Sequence, residues 1–194
     1  MTEVTAESAD GSGAGSGPVP GHDPDRPGAG ADAPREIVQR GLYYDELEVG
    51  ARYLHRPGRT ATEADNALFS SITMNTQALH LDAAFSETQP FGQRLMNSMW
   101  TLATMVGASV SQITQGTLVA QLGLTDVSFP APLFHGDTLY TETEVVDKRL
   151  SASRPGQGIV TLRHTGRNQR GDVVALATRT ALMWCAPQTW EGTP

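Results

Sequence analysis

One cysteine, Cys185, is present in 194 residues. A single thiol cannot close an intrachain disulfide and has no partner for a cysteine-based zinc set. It fits a reducing compartment, and a cytoplasmic location is expected. Cations are also scarce: 14 Lys and Arg stand against 21 Asp and Glu, a formal charge of −7. With no excess of positive charge to displace phosphate counterions, a sequence-independent grip on nucleic acid is excluded. No apolar run approaches the roughly 18 residues a membrane span requires. The N-terminus lacks the basic-then-apolar layout of a secretory signal. Neither nucleic acid nor membrane is expected as a partner. The chain also has no H-x-x-x-H pair, no Gly-x-Ser-x-Gly elbow and no glycine-rich loop after a strand. Metal-dependent, serine-nucleophile and dinucleotide chemistry thus lose their usual signatures.

What is present divides unevenly. Residues 1–36 hold seven Gly, five Pro and seven acidic residues with two Arg, and no aromatic, Leu or Ile. Such a segment cannot bury enough apolar surface to offset its chain entropy, so a disordered tail is expected over 1–36, with one domain over 37–194. The tail carries most of the net charge, and the remaining 158 residues are close to neutral with 14 acids and 12 bases.

Within the domain, Thr62-Glu63-Ala64-Asp65 has the form of an N-cap with an acidic first turn, opening a short helix to about Ile72. An irregular stretch, Met74 to Phe91, follows. From Gly92, Leu95, Met96, Met99, Leu102, Ala103, Val106, Val110 and Ile113 recur at steps of three and four. This spacing predicts one long helix of about 20 residues, roughly 30 Å, with a broad apolar face. After Gly116 the period changes to two. Strands are expected at Thr117–Phe129, Thr138–Arg149, Gly158–Asn168 and Asp172–Ala186, separated by Pro and Gly signals, with an earlier strand at Ala51–Arg56. One long helix followed by a meander of four strands implies an α+β fold, an antiparallel sheet wrapped around a single central helix, the hot-dog arrangement.

Of five histidines, His22 falls in the tail, His55 and His164 fall on strand faces, and His135 falls in the turn Phe134-His135-Gly136-Asp137. His80 differs because it lies in Asn75-Thr76-Gln77-Ala78-Leu79-His80-Leu81-Asp82, an irregular segment between two helices. A histidine held there can serve as a general base near neutral pH, since its ordinary pKa of about 6.5 needs little adjustment.

That segment resembles the hydratase motif Asp-x-Asn-Pro-Leu-His of the R-specific enoyl-CoA hydratases and MaoC-like dehydratases. It aligns without gaps, with Asn75 at the Asp, Gln77 at the Asn, Ala78 at the Pro, and Leu79 and His80 matching. A second stretch, Phe91-Gly92-Gln93-Arg94-Leu95-Met96-Asn97-Ser98-Met99, resembles the family's Phe-Gly-x-Pro-Ile-Ala-His-Gly-Met. Phe134-His135-Gly136-Asp137-Thr138-Leu139 resembles its turn into a long strand, and Ser153-Arg154-Pro155-Gly156 with Gly158-Ile159-Val160 is similar to MaoC-like acyl-CoA hydratases. The resemblance covers residues 42–186. It implies reversible addition of water to an enoyl-CoA thioester, with His80, Asn75 and the Ser98 backbone N–H as catalytic groups and Arg94, Gln77 and Asn97 as substrate-binding groups. It further implies no cofactor beyond the coenzyme A of the substrate, and a homodimer or dimer of dimers with sheets paired edge to edge.

Two departures shape the reading. Asn75 cannot take a proton, which leaves His80 as the only base of the pair. Either the Asn75 carboxamide merely orients water, or the site binds acyl-CoA without turnover. Asp82, two residues from His80, could replace the lost carboxylate or cap the following turn. Arg94 stands where simple hydratases carry Pro. It either rests at the surface or binds a second substrate carboxylate, as arginine does bidentately. The latter favours mesaconyl-CoA or itaconyl-CoA over crotonyl-CoA, and the chain resembles the MaoC-like branch linked to such branched dicarboxylyl-CoA esters. A hot-dog thioesterase, with Asp82 or Glu63 directing water at the carbonyl, is the other enzymatic alternative.

Overall fold

Five strands form one antiparallel sheet in a computed structural model that describes residues 37–187 together with Pro34. The tail expected over 1–36 therefore lies, but for that proline, outside the described residues. The strands are β1 (Arg52–Thr60), β2 (Leu118–Ser128), β3 (Thr138–Leu150), β4 (Gln157–Arg167) and β5 (Val173–Trp184). Their order across the sheet is β1-β3-β4-β5-β2. The expected four-strand meander holds only for β3 to β5. β2 pairs with the far side of β5, and the chain returns across the sheet before entering β3.

Between β1 and β2 the chain crosses from one edge of the sheet to the other as α1 (Glu63–Ile72), α2 (Ala78–Leu81), α3 (Ala83–Glu87) and α4 (Ser98–Ala108). α4 packs against β3, β4 and β5, so the sheet wraps it as expected. It is shorter than the sequence predicts. Residues 91–97 are not helical. The Leu95 N–H donates to the Leu79 carbonyl, Met96 N–H donates to Leu133 O, and Leu95 bridges Phe134 in a strand-like pairing. Apolar spacing alone cannot tell a buried extended segment from a helical turn. Past Ala108 the helix widens into a π turn, Val110–Thr114.

β1 also differs, continuing through Pro57 and Gly58 to Thr60. The register against β3 shifts between His55 and Arg59, which is how an edge strand accommodates a proline that cannot donate to the ladder. The stretch expected to be irregular contains the short helices α2 and α3. The α1 start is as read from the sequence: the Asp65 N–H donates to Thr62 Oγ1, and the Asp65 carboxylate accepts from the Thr62 N–H.

Alternate residues on each strand face the helix. Along β3 these are Leu139, Thr141, Thr143 and Val145, and along β5 Ala175, Ala177, Arg179, Ala181 and Met183, all buried. Two apolar clusters result. Met96, Trp100, Met105, Leu133, Leu139 and Ala175 belong to one, and Tyr44, Leu47, Ile113, Val145, Val160 and Met183 to the other. The residues between them in strand order are polar. His55 Nε2 and His164 Nδ1 both meet Thr143 Oγ1 at 2.8 Å, and His55 Nδ1 meets Gln112 Oε1 at 2.9 Å. Burial, reinforced by Arg179 and then His55, pushes His164 from 6.5 down to about 3, so both strand histidines are core residues. No group of three or more His, Cys, Asp or Glu suited to a metal occurs among the described residues. No described helix is long and apolar enough to cross a membrane.

Candidate active site

After α1 the backbone turns sharply through Met74, whose φ of 54° is left-handed. The turn is closed by the Asn75 N–H donating to Ser70 O at 2.8 Å. Asn75 Oδ1 then accepts from the Gln77 N–H at 3.1 Å. The side-chain oxygen is thereby committed to the backbone, and the groups Asn75 presents outward are its two N–H donors. Gln77 contributes backbone atoms to this turn: its carbonyl accepts from the His80 N–H at 3.0 Å.

His80, in α2, has its Nδ1 at 3.1 Å from the Leu95 carbonyl. A carbonyl only accepts, so Nδ1 carries the proton and Nε2 keeps its lone pair. Two residues beyond Leu95, Asn97 caps α4. Its Oδ1 accepts from the Met99 N–H at 3.0 Å, and its Nδ2 donates to Ser70 Oγ at 3.3 Å. At 2% exposure, Asn97 is a buried cap and does not present its carboxamide to a ligand, contrary to the substrate-binding role expected of it. Ser98 follows as the first helical residue. No acceptor meets its N–H among the described residues, and the positive end of the helix dipole lies there.

A cavity of about 280 Å³ opens beside this N-terminus, lined by Phe91, Leu95, Met96, Ser98, Phe129 and Leu133 among others. Its lining side chains are apolar except those of Ser98 and Thr101, whereas His80, Asn75, Gln77 and Arg94 lie outside it. Leu95 links the two parts, since its carbonyl holds His80 and the residue itself lines the cavity.

Asn66 binds these pieces together, and sequence reasoning passed over it. It is 1% exposed within α1. Its Oδ1 accepts from the Asn97 N–H at 2.8 Å. Its Nδ2 lies 3.0 Å from both His80 O and Leu95 O, and 2.9 Å from His135 Nε2. One carboxamide thus spans the His80 segment, the start of α4 and the turn before β3. An asparagine inside an amphipathic helix, where its propensity is poor, is the one signal that marks it beforehand. His135 occupies the expected turn, but its ring belongs to this network. Burial, and then the Arg94 charge, holds its pKa below the ordinary histidine value.

Arg94 pairs with Glu63, the first residue of α1. Asp82 accepts from the Phe85 N–H at 2.9 Å and caps α3, which settles its two sequence readings in favour of the cap. Of the two carboxylates a thioesterase could use, Asp82 caps α3 and Glu63 is paired with Arg94.

An antiparallel sheet closed over one central helix, with a histidine and an open helix N-terminus held on either side of a short segment, defines a hot-dog domain. The family model described as MaoC like domain matches residues 46–168, well over half of the chain, and the chain belongs to that family. It is 27% identical over 146 residues to the mesaconyl-CoA hydratase of Haloarcula marismortui, covering 75% of this chain and 40% of that protein. It is 32% identical over 103 residues to the (R)-specific enoyl-CoA hydratase of Aeromonas caviae, covering 53% of this chain and 74% of that one. A solved Mycobacterium tuberculosis protein described as a double hot-dog fold superimposes with a TM-score of 0.70 at 29% identity. That match covers 79% of this chain and 46% of the other. The chain thus spans about two fifths of the length of the mesaconyl-CoA hydratase it matches.

Proposed function

We propose that this protein is an enoyl-CoA hydro-lyase, adding water reversibly across the double bond of a short dicarboxylyl-CoA thioester such as mesaconyl-CoA. One observation carries the reading: the segment Leu95–Ser98 holds both a histidine with its Nε2 lone pair free to accept a proton and an unpartnered N–H at a helix start. Three residues of chain separate Leu95, which holds His80, from Ser98, so the Cα atoms of those two residues lie within about 10 Å of each other.

In the forward direction the thioester oxygen accepts a hydrogen bond from the Ser98 N–H, favoured by the helix dipole. Asn75 donates an N–H to the attacking water, leaving its other lone pair for the β-carbon. His80 Nε2 takes the proton released as the C–O bond forms. The negative charge moves onto the thioester oxygen, and protonation of the α-carbon by the His80 imidazolium returns the histidine to its starting state. Water is the only co-reactant and no electron is transferred, so no cofactor is required beyond the coenzyme A of the substrate. The second substrate carboxylate pairs with Arg94, which fits the mesaconyl-CoA hydratases among the relatives.

The working unit is a homodimer or a dimer of dimers in a reducing cytoplasm. Two features support pairing of copies. β2 is an edge strand whose outer half is exposed, and relatives about twice this length include a double hot-dog protein.

The test is mass spectrometry on crotonyl-, mesaconyl- and itaconyl-CoA with the wild-type protein and His80→Ala. Gain of one water that disappears in the variant supports the proposal. Release of free coenzyme A identifies a thioesterase instead. Tight thioester binding with no turnover identifies a binding module, the outcome Asn75 would then explain.

A further inference from the structure

Arg94 presents a difficulty for the proposed substrate, because its guanidinium is already paired with Glu63. The surroundings of that pair resolve it. Two donors converge on one carboxylate oxygen: Arg94 Nη2 bonds Glu63 Oε1, and His135 Nδ1 lies 4.0 Å from the same atom. Because His135 Nε2 accepts from Asn66 Nδ2, its proton is on Nδ1, the nitrogen facing Glu63. The donors are held in place, with side-chain exposures of 24% for Arg94 and 17% for His135, whereas the Glu63 side chain is 66% exposed. Glu63 also has no part in capping α1, since Thr62 and Asp65 form the capping box between themselves. No second acidic partner of Arg94 occurs among the described residues.

We infer that Arg94 and His135 form a carboxylate-binding site, and that Glu63 fills it until the distal carboxylate of a dicarboxylyl-CoA displaces it. This rests on the hydratase reading above. An ion pair with one partner mostly in water is weak, so displacement is easy, yet a thioester with no second carboxylate gains nothing from it. Glu63 thereby becomes a specificity residue. It holds the cationic site neutral when the site is empty and competes with only one class of substrate.

The experiment is steady-state hydration of mesaconyl-CoA and crotonyl-CoA by the wild type, Glu63→Ala, Arg94→Ala and Arg94→Lys, with thermal unfolding of each to establish that it is folded. Glu63→Ala is expected to lower KM for mesaconyl-CoA about 3- to 10-fold relative to that for crotonyl-CoA. Arg94→Ala is expected to raise the mesaconyl-CoA KM at least about 10-fold relative to the crotonyl-CoA KM. Arg94→Lys should recover only part of that loss, because the bidentate fork is gone. If both thioesters are hydrated and none of the three variants changes the ratio of their KM values, the carboxylate site is wrong and the hydratase reading stands. If the wild type hydrates neither, the hydratase reading fails first, and binding of each thioester, followed calorimetrically, decides the site: equal affinity for both in wild type and Glu63→Ala refutes it.

Discussion

Replacing Asn66 with Ala removes the one side chain that touches the His80 segment, the α4 start and the His135 turn together. The cost follows from what is left behind. The Asn97 N–H, in a residue 2% exposed, loses its acceptor. The His80 carbonyl loses its donor, while the Leu95 carbonyl keeps the bond from His80 Nδ1. An orphaned buried polar group costs about 1–3 kcal/mol. The second group is half-buried, so roughly 2–4 kcal/mol in total is expected. For a domain of this size that corresponds to a Tm lowered by roughly 4–16 °C, read by differential scanning calorimetry. Activity should fall further than stability explains. With His80 no longer fixed against Leu95, kcat at a temperature where the variant is fully folded should drop about 10²-fold. Asn66→Asp separates the two roles. It keeps the acceptor for Asn97 but turns a carboxylate oxygen toward two carbonyls, so it should be no more stable than the alanine variant unless His135 Nε2 takes up a proton to donate to it. A variant with Tm within a degree of wild type and unchanged kcat would refute the hub assigned to Asn66.

Three further outcomes follow from the same geometry. His164 is neutral in the fold down to about pH 3 and titrates near 6.5 when unfolded. Its contribution to stability is therefore intact above pH 6.5 and is lost as pH falls from there toward 3, at up to about 1.4 kcal/mol per pH unit. Burial lowers His55 in the same direction. Urea denaturation at several pH values should show a shallower acid dependence in His164→Asn. Gly158→Ala would drive a Cβ into the Tyr44 ring. Overpacking there should destabilise the domain by about 1–3 kcal/mol, measured by chemical denaturation. Asn75→Asp keeps the acceptor for the Gln77 N–H and replaces the two carboxamide N–H donors with a second proton acceptor. Because the N–H donors that hold the attacking water are lost, kcat is expected to fall about 10-fold at constant KM; a kcat above wild type would show that a second proton acceptor outweighs those donors.

Local signals carried the sequence reading where structure is decided locally. The Thr62 cap, the period-two strands after Gly116 and the Asp82 cap all depend on neighbours within a few residues. The misreadings arose where distant partners decide. Leu95 and Met96 have helical spacing, but their backbones are claimed by Leu79 and Leu133. β2 follows α4 in sequence and pairs with β5, a choice that no property of residues 117–129 reveals. In the candidate site, motif resemblance pointed to His80 and Ser98, but not to the Leu95 carbonyl that positions His80. Asn66 and His135 were not, because their importance lies in the approach of three segments that are far apart in the chain. The capping role of Asn97 was not legible for a related reason, since a cap and a ligand-binding amide look alike until burial is known.

The central claim is that His80 Nε2 removes a proton from water while the Ser98 N–H holds the thioester oxygen. Its most direct test is incubation of the enzyme with mesaconyl-CoA in H₂¹⁸O, followed by mass spectrometry of the intact thioester. Incorporation of one ¹⁸O on the acyl chain by the wild type, reduced at least about 10²-fold in a folded His80→Ala variant, is the predicted result. Equal incorporation by both proteins, or label appearing only in a released free acid, would contradict it.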